Sequence, residues 1–213
     1  MKRNILSLGV LLLFATVLFN ACKSDEPGGG TSTTDGGVVI NGVKWATRNV
    51  GSIGTFVTNP EDFGGLYQWN RKDTANFLLD DDYWASPFLY AAYWLPANDP
   101  SPSGWRVPTA EEFESLLNTE KVTNEWTVES GIYGMRFTDK VTNKSIFLPA
   151  AGIRSYWDGK VEYGRGSYWS STQSDDFSVD FGWYSLFFSD WYGCNGSYDG
   201  YPGYGMSVRP VAK

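Results

Sequence analysis

Histidine is absent from this sequence of 213 residues, and cysteine occurs only twice, as Cys22 and Cys194. Without histidine, the usual serine and cysteine triads lack their general base and the common zinc sites lose a principal ligand. Hydrolysis by two carboxylates would need a fixed geometry. The acidic residues that lie closest together fall instead in a stretch of irregular composition: Asp175, Asp176, Asp180 and Asp190. We therefore predict that the protein is not an enzyme and has no catalytic residues.

Basic residues are also scarce. The chain has 17 Lys and Arg residues against 24 Asp and Glu residues, which gives a net charge of −7. Lys2 and Arg3 lie in a segment that we expect to be removed on export, and their loss leaves 15 against 24, a net charge of −9. Nucleic acids and anionic membrane surfaces are bound by basic patches. The charge balance therefore argues against both as partners.

The first 22 residues have the pattern of an export signal. Lys2 and Arg3 precede an apolar stretch over residues 5–19, too short to span a bilayer comfortably, and Ala21 stands before Cys22. A cysteine at this place resembles the lipobox of bacterial lipoproteins, in which it becomes the acylated first residue of the mature chain. The alternative is a plain secretory signal with a coincidental cysteine. The resemblance implies a lipoprotein signal peptide over residues 1–21 and lipidation at Cys22.

A linker follows the lipidated cysteine. Residues 22–37 contain Pro27, three consecutive glycines and the run TSTTDGG, so they bury little apolar surface and would hold a domain about 20 Å from the anchor. Residues 23–26 (KSDE) resemble the acidic export signal that sends Bacteroidetes lipoproteins to the outer face of the outer membrane. We predict a lipid-anchored protein at that membrane, facing the exterior, with one domain over residues 38–213. Because Cys22 carries lipid in this prediction, Cys194 is left without an intrachain disulfide partner.

Replacing the lipidation residue tests the anchor. We expect Cys22→Ser to move the protein from the membrane fraction to the soluble fraction, because the serine side chain cannot take the thioether-linked lipid. The measurement is fractionation of cells that express either form, followed by immunoblotting. Unchanged membrane fractionation of the variant would contradict the lipoprotein prediction.

Local patterns within the domain predict an α+β fold with a small antiparallel sheet, few helices and long loops. Asn41 and Gly42 between two short apolar runs predict a type I′ β-hairpin, because this pair supplies both positive-φ positions of the turn. Thr109 and Glu112 have the spacing of a capping box, and they precede Phe113, Leu116 and Leu117 at helical spacing. Alternation over residues 134–137 and 145–148 predicts a second hairpin.

The most unusual composition lies near the carboxyl end. Residues 173–206 contain no Lys, Arg, His or Glu, whereas 27 of these 34 residues are aromatic, Gly, Ser or Asp. An ordinary strand region would carry Val, Ile and Leu, but here only Val179 and Leu186 occur. Aromatic side chains offer large rigid contact areas and small polar residues offer adaptable hydrogen bonds, the composition of binding loops. The stretch therefore predicts a recognition surface.

Several residues of this stretch are expected to belong to the scaffold, because Leu186 and Phe188 alternate as strand residues do. Trp169 and Val208 beside it are also expected to be buried. For the loop expected over residues 189–204 we favour exposed contacts over core packing. Cys194 is an unpaired thiol whose alternative interpretation is a small buried apolar residue. The predicted binding residues are Ser174, Asp176, Phe177, Tyr184, Asp190, Trp191, Tyr192, Cys194, Asn195, Ser197, Tyr198, Asp199, Tyr201 and Tyr204.

Four further motifs occur in order along the domain: residues 104–109 (GWRVPT), 147–152 (FLPAAG), 168–172 (YWSST) and 205–211 (GMSVRPV). Together with residues 41–49 (NGVKWATRN), they resemble the Fibrobacter succinogenes major paralogous domain, a family of secreted and surface proteins. The similarity covers residues 38–211. One departure is Arg106, where the family often has histidine. The resemblance implies a C-type-lectin-like fold, in which a small sheet supports long loops.

The resemblance also implies an origin for the unusual stretch. Related proteins include targets of diversity-generating retroelements, which randomise template adenines near the 3′ end of a gene. Randomised asparagine codons encode Phe, Ser, Tyr, Cys, Asp, Gly and others, but not Lys, Glu, Gln, Met or Trp. Residues 173–206 follow this rule except at Gln173, Trp183, Trp191 and Met206, which would be fixed scaffold positions or come from other template codons.

Three classes of function are compatible with these patterns in different degrees. We favour recognition of a protein or cell-surface ligand, because aromatic and small polar side chains cost little entropy to order on binding. The alternative is a fixed carbohydrate-binding module that works without calcium, since the sugar motif of true C-type lectins is absent. Catalysis is the least favoured.

The acidic run Asp80, Asp81 and Asp82 lacks the spacing of a calcium loop and is expected to be a solvated turn. No metal or cofactor is predicted.

Overall fold

The computed structural model describes residues 32–84, 93–174 and 182–213. The predicted signal peptide, Cys22 and most of the predicted linker lie outside these ranges, as do Asp176 and Phe177. The strands and helices are β1 (Val38–Ile40), β2 (Val43–Trp45), α1 (Asp80–Trp84), a 3-10 turn (Pro96–Asn98), β3 (Trp105–Arg106), α2 (Ala110–Leu117), β4 (Val122–Glu129), β5 (Ile132–Asp139), β6 (Ser145–Pro149), β7 (Ile153–Arg154), β8 (Val161–Glu162), β9 (Gly166–Gln173), β10 (Trp183–Ser189), β11 (Gly193–Gly200) and β12 (Val211–Ala212).

The described strands form four small antiparallel sheets, with the orders β1-β2-β12-β3, β11-β10-β9, β4-β5-β6 and β7-β8. The predicted α+β class is confirmed in this sense, because short antiparallel strands dominate and helices are few. Val211 of β12 pairs with Trp45 of β2 and with Arg106 of β3. The end of the chain therefore closes the sheet that the first strands open.

The local predictions for hairpins and the helix are confirmed. Asn41 and Gly42 connect β1 to β2 with φ angles of 45° and 84°, both in the left-handed region that a type I′ turn requires. Thr109 caps α2 through the backbone N–H of Glu112, whose carboxylate accepts from the backbone N–H of Thr109. The second predicted hairpin is the pairing of β5 with β6.

One carboxylate ties the two hairpins together. The Asp139 carboxylate accepts backbone hydrogen bonds from Thr142 (2.7 Å), Asn41 (2.8 Å) and Val141 (2.9 Å). These N–H groups, that of Thr142 most strongly, stabilise the charged form and lower the pKa of Asp139 to about 2. Asp139 thereby orders its own turn and holds the β1–β2 turn against it.

The core has one mainly aliphatic part and one built around indoles. The first joins α2 to the sheets through Phe113, Leu116, Leu148, Leu186 and Phe188, among others. In the second, Trp69 lies 4.9 Å from Trp94, 5.6 Å from Trp169 and 5.0 Å from Trp183, measured between ring centroids. Burial of this large aromatic area contributes the stability that disulfides contribute in other small domains.

Three segments differ from their predicted form. Residues 32–37, assigned to the linker by composition, contact the domain: Ser32 pairs with Phe56, and the Asp35 carboxylate accepts from Thr47 and Arg48. The Asp80 to Asp82 run forms the first turn of α1 instead of an irregular turn. Residues 193–200, expected within a loop, form β11. Tertiary hydrogen bonds decide the first and the third case, and residue composition does not reveal them.

Candidate functional site

The sheet β11-β10-β9 positions most of the unusual stretch. On the face towards α2, Leu186 and Phe188 of β10 are fully buried, and Phe188 stacks on Tyr168 of β9 with 5.8 Å between ring centroids. Trp169 and Val208 are buried as well. These four scaffold predictions are confirmed. The opposite face carries Phe187, because side chains alternate along a strand.

A tight hairpin presents two rings at the edge of this sheet. Ser189 pairs with Gly193, so three residues form the turn, and Gly193 has a φ of 77° that glycine adopts without strain. The Ser189 hydroxyl accepts the backbone N–H of Tyr192 at 3.1 Å. Trp191 and Tyr192 are left 79% and 50% exposed at the turn. The hydrogen bond between Ser189 and Tyr192 restrains the turn, and two of its three residues expose aromatic rings.

A series of ring contacts leads from this turn along the sheet. Trp191 lies 6.0 Å from Tyr192, which lies 5.4 Å from Phe187, and Phe187 stacks on Tyr198 at 4.7 Å. Tyr198 is 40% exposed. A register irregularity between Ser185 and Phe187 puts an extra residue in β11, and the Ser185 hydroxyl donates to the Tyr198 carbonyl at 2.9 Å. Such bulges redirect a side chain from its regular place.

The ring series ends at a cavity of about 280 Å³, which we call the tyrosine pocket. It lies between the β10–β11 hairpin and the face of β7–β8 that carries Ile153 and Glu162. Its lining residues are Ile153, Ser155, Glu162, Arg165, Ser167, Phe187, Tyr198, Tyr201, Tyr204 and Met206. Rings and polar groups therefore converge in one concavity, the usual composition of a ligand site.

Two polar features distinguish the tyrosine pocket. Arg165 donates to Glu162 at 2.7 Å, so the charged pair at its edge is neutral as a unit. The Ser167 hydroxyl is buried, and it has no hydrogen-bond partner among the described residues. Burying a hydroxyl without a partner costs free energy. A ligand atom able to pair with this hydroxyl would recover that cost.

Tyr201 and Tyr204 are only partly exposed, because both pack against Tyr156. Their ring centroids lie 4.5 Å and 4.9 Å from that of Tyr156. Burial, with a contribution from Tyr156, raises the pKa of Tyr201 to about 12, and burial also raises the pKa of Tyr204. Both phenols are therefore neutral donors at physiological pH. They serve as pocket wall and as scaffold.

The remaining predicted residues are divided between the exposed surface and the scaffold. Asp190 is exposed in the turn, whereas Ser174, Tyr184 and Asn195 are half-buried. Ser197 donates to Glu114 of α2 at 2.7 Å. Asp199 belongs to β11 through its backbone pairing with Tyr184.

Cys194 is a correction to the predicted binding set. It packs against the aliphatic core opposite Phe188, and burial raises the pKa of its thiol to about 12. Reactive cysteines have lowered pKa values. The alternative interpretation of Cys194 as a small apolar residue is the one that the structure supports.

Sequence reasoning missed the pocket residues outside the unusual stretch. Ile153, Glu162 and Ser167 come from β7, β8 and β9, and Arg165 lies in the connection between β8 and β9; nothing in their local sequence indicates a site. Phe187 lies within the stretch, and its place between the inward Leu186 and Phe188 was a usable signal, since it must face the other way.

The four residues that randomised asparagine codons cannot encode fall into two pairs. Trp183 and Met206 are buried in the indole cluster, as fixed scaffold positions would be. Gln173 and Trp191 are exposed, so core packing gives no reason for them.

Comparison with family models, with curated proteins and with solved structures finds no match for this chain. In the described ranges, no group of three acidic or thiol side chains is placed to hold a metal ion. No helix among the described residues combines the length and apolar character needed to cross a membrane.

Proposed function

We propose that this protein is a surface receptor or adhesin whose C-terminal aromatic residues bind a protein or cell-surface ligand. The ring series from Trp191 through Tyr192, Phe187 and Tyr198 to the tyrosine pocket carries the proposal. In the proposed fold, of the C-type-lectin-like type, the sheet β11-β10-β9 is the support and the exposed hairpin is the recognition element.

The physical state of the rings supports binding over a purely structural role. Exposed aromatic groups lose water favourably when covered, and the mutual ring contacts already restrict their rotamers before a ligand arrives. The opposite face of the same strands contributes Leu186 and Phe188 to the core, so the domain folds without using the exposed rings. The exposed residues Trp191, Tyr192 and Tyr198 can therefore change with little effect on stability, whereas Phe187, which is buried beneath them, belongs to the support.

The same separation supports the proposal of diversification. Trp191, Tyr192 and Tyr198 are exposed, whereas Trp183, Leu186 and Met206 between and around them are buried. Randomised asparagine codons can encode Tyr192 and Tyr198, and diversification would have to spare the buried group; Trp191 would come from another template codon. The test is a search of neighbouring DNA for a near-copy of codons 173–206 whose mismatches fall at template adenines. A fixed gene without such a template would leave a single dedicated ligand.

Removal of the exposed rings tests the site. We expect Trp191→Ala with Tyr198→Ala to weaken binding of peptides selected from a random display library on the wild-type protein by at least tenfold. Each buried aromatic contact contributes about 1–2 kcal/mol or more to such interfaces. The measurement is biolayer interferometry with the selected peptides. The melting temperature should stay within a few degrees of wild type, since Trp191 is 79% exposed and Tyr198 is 40% exposed at the sheet surface.

Tyr133→Ala is the matched control, because Tyr133 is 60% exposed on β5, in a different sheet. Selected peptides that bind the double variant and the wild type equally would contradict the proposed surface. Absence of peptide binders combined with glycan-array binding that survives EDTA would favour the carbohydrate-binding alternative. The rings and polar groups of the tyrosine pocket are compatible with a sugar ring.

The proposed location follows from the amino-terminal residues. Cys22 would carry the lipid, and residues 22–31 would connect it to the part of the domain that begins at Ser32 with its pairing to Phe56. An outward-facing lipoprotein of the outer membrane is the arrangement that presents the hairpin to ligands. Fractionation of Cys22→Ser cells, as described above, is its test.

A further inference from the structure

The β7–β8 hairpin has a second cavity on its other face. Ile153 and Glu162 line the tyrosine pocket, whereas their neighbours Arg154 and Val161 line a separate cavity of about 310 Å³. Phe63, Leu66, Thr74 and Tyr163 complete most of its wall. We call this cavity the arginine pocket, because Arg154 is the only charged residue among the described residues that line it.

Arg154 differs from the other arginines of the described part. Each of the others donates at least one side-chain hydrogen bond to a protein oxygen: Arg48, Arg71, Arg106, Arg136, Arg165 and Arg209. Among the described residues, the Arg154 guanidinium has no hydrogen-bond acceptor and no carboxylate partner, and its Nε is buried without a partner. In a chain with 24 acidic residues, this lack of a partner is a notable exception.

The arrangement holds the guanidinium in place. The backbone of Arg154 pairs with Val161 and exchanges two hydrogen bonds with Gly205, at 2.8 Å and 2.9 Å. Its guanidinium carbon lies 5.0 Å from the centroid of the Phe77 ring. A planar cation restrained by a ring and by paired backbone loses little entropy when it binds an anion.

We propose that the arginine pocket binds a monocarboxylate ligand that carries a six-membered ring. A single guanidinium matches one carboxylate in charge and in its two-pronged geometry. A phosphate dianion would be left half-neutralised within an acidic protein. The volume exceeds what a carboxylate alone fills, and Phe63 and Tyr163, 6.1 Å apart, offer ring surfaces at the cavity wall. Tyr163 is 65% exposed and available for stacking.

Sugar acids and aromatic acids share this chemistry, and the test separates them. Glucuronate, benzoate, glucose and acetate are titrated into the purified protein and followed by isothermal calorimetry and by NMR chemical shifts. We expect glucuronate or benzoate to bind, with glucose and acetate at least tenfold weaker, because each lacks either the carboxylate or the ring. Preference for glucuronate would identify a sugar acid, and preference for benzoate an aromatic acid.

Variants link the binding to the guanidinium. We expect Arg154→Met to weaken the ring carboxylate by about 10- to 100-fold, the loss of a charge-assisted hydrogen bond of about 1.5–3 kcal/mol. Arg154→Lys should recover only part of the loss, because an ammonium group lacks the planar fork. Tyr163→Ala, an exposed substitution, should weaken binding several-fold without unfolding. Glu162→Gln, which changes a charge on the opposite face, should alter affinity less than twofold.

Several results would overturn the proposal: no binding of either ring carboxylate, equal binding of glucose, or unchanged affinity in both Arg154→Lys and Tyr163→Ala. Circular dichroism of each variant establishes that it is folded. If Arg154→Met does not fold, the affinity of Tyr163→Ala tests the proposal in its place. Because the exposed rings at Trp191 and Tyr198 line no part of the arginine pocket, their replacement should leave carboxylate binding intact. Failure of the proposed receptor function is thereby distinguishable from failure at this pocket.

Discussion

Replacing Trp169 by alanine is expected to reduce the free energy of unfolding by about 4 kcal/mol, within the range for a buried aromatic side chain cut to a methyl group. Trp169 is fully buried, contacts Trp69, and donates its indole N–H to the Tyr67 carbonyl at 2.7 Å. The variant would lose the apolar contacts and one of the two hydrogen bonds to that carbonyl, which would keep only the backbone N–H of Met206 at 2.9 Å. A cavity at this point would separate the sheet β11-β10-β9 from the segment that contains Tyr67.

Equilibrium urea denaturation followed by circular dichroism measures this effect. Trp157→Ala is the control, since Trp157 is 65% exposed and contacts chiefly the ring of Tyr156. We expect its free energy of unfolding to lie within about 0.5 kcal/mol of wild type, as for most surface substitutions. Equal stability of the Trp169 and Trp157 variants would contradict the placement of Trp169 in the core.

A loss of at least about 3 kcal/mol is also expected for Arg209→Met. The Arg209 side chain is fully buried and donates to the Asn49 side-chain oxygen at 2.8 Å, the Phe147 carbonyl at 3.0 Å and the Ala46 carbonyl at 3.2 Å. Burial lowers the pKa of Arg209 to about 10, so the group stays charged at neutral pH. Methionine fills similar space but leaves three buried acceptors unpaired, and each unpaired group costs about 1–3 kcal/mol.

Arg165→Met is the comparison for this effect. Arg165 pairs with Glu162, and both side chains are substantially exposed, so the pair contributes about 0–1 kcal/mol. The same urea denaturation experiment serves for both variants. If Arg209→Met unfolded at the urea concentration of wild type, the three hydrogen bonds would contribute nothing net and the buried arginine would need another explanation.

The contrast between these two arginines shows why the exposed rings of the candidate site were predicted from sequence but the rest of the pocket wall was not. Arg209 lies between Val208 and Pro210 and Arg165 lies between two glycines, but neither local sequence by itself shows whether the arginine is buried. Arg209 is covered because the chain end returns beside Ala46 and Phe147, far away in sequence. Pockets formed in the same way, such as the tyrosine pocket, bring together strands that composition treats separately.

The prediction of β11 as a loop has a related cause. Residues 193–200 (GCNGSYDG) are poor in the β-branched residues that favour strands, so their intrinsic preference indicates a turn or coil. They form a strand because β10 offers a row of hydrogen-bond partners, interrupted by one bulge, and Gly193 closes the turn. Strand formation depends on the neighbouring strand more than on the residue itself, which a single sequence does not show.

The amino-acid sequence by itself determined the features that rest on contacts between near neighbours. The Asn41-Gly42 turn, the capping box of α2 and the inward alternation of Leu186 and Phe188 each depend on backbone geometry within a few residues. Tertiary structure alone decided which rings are exposed, which hydroxyl of β9 lacks a partner and which arginine faces a cavity. Burial and hydrogen-bond pairing across long sequence separations depend on how the whole chain packs, and residue type constrains them only weakly.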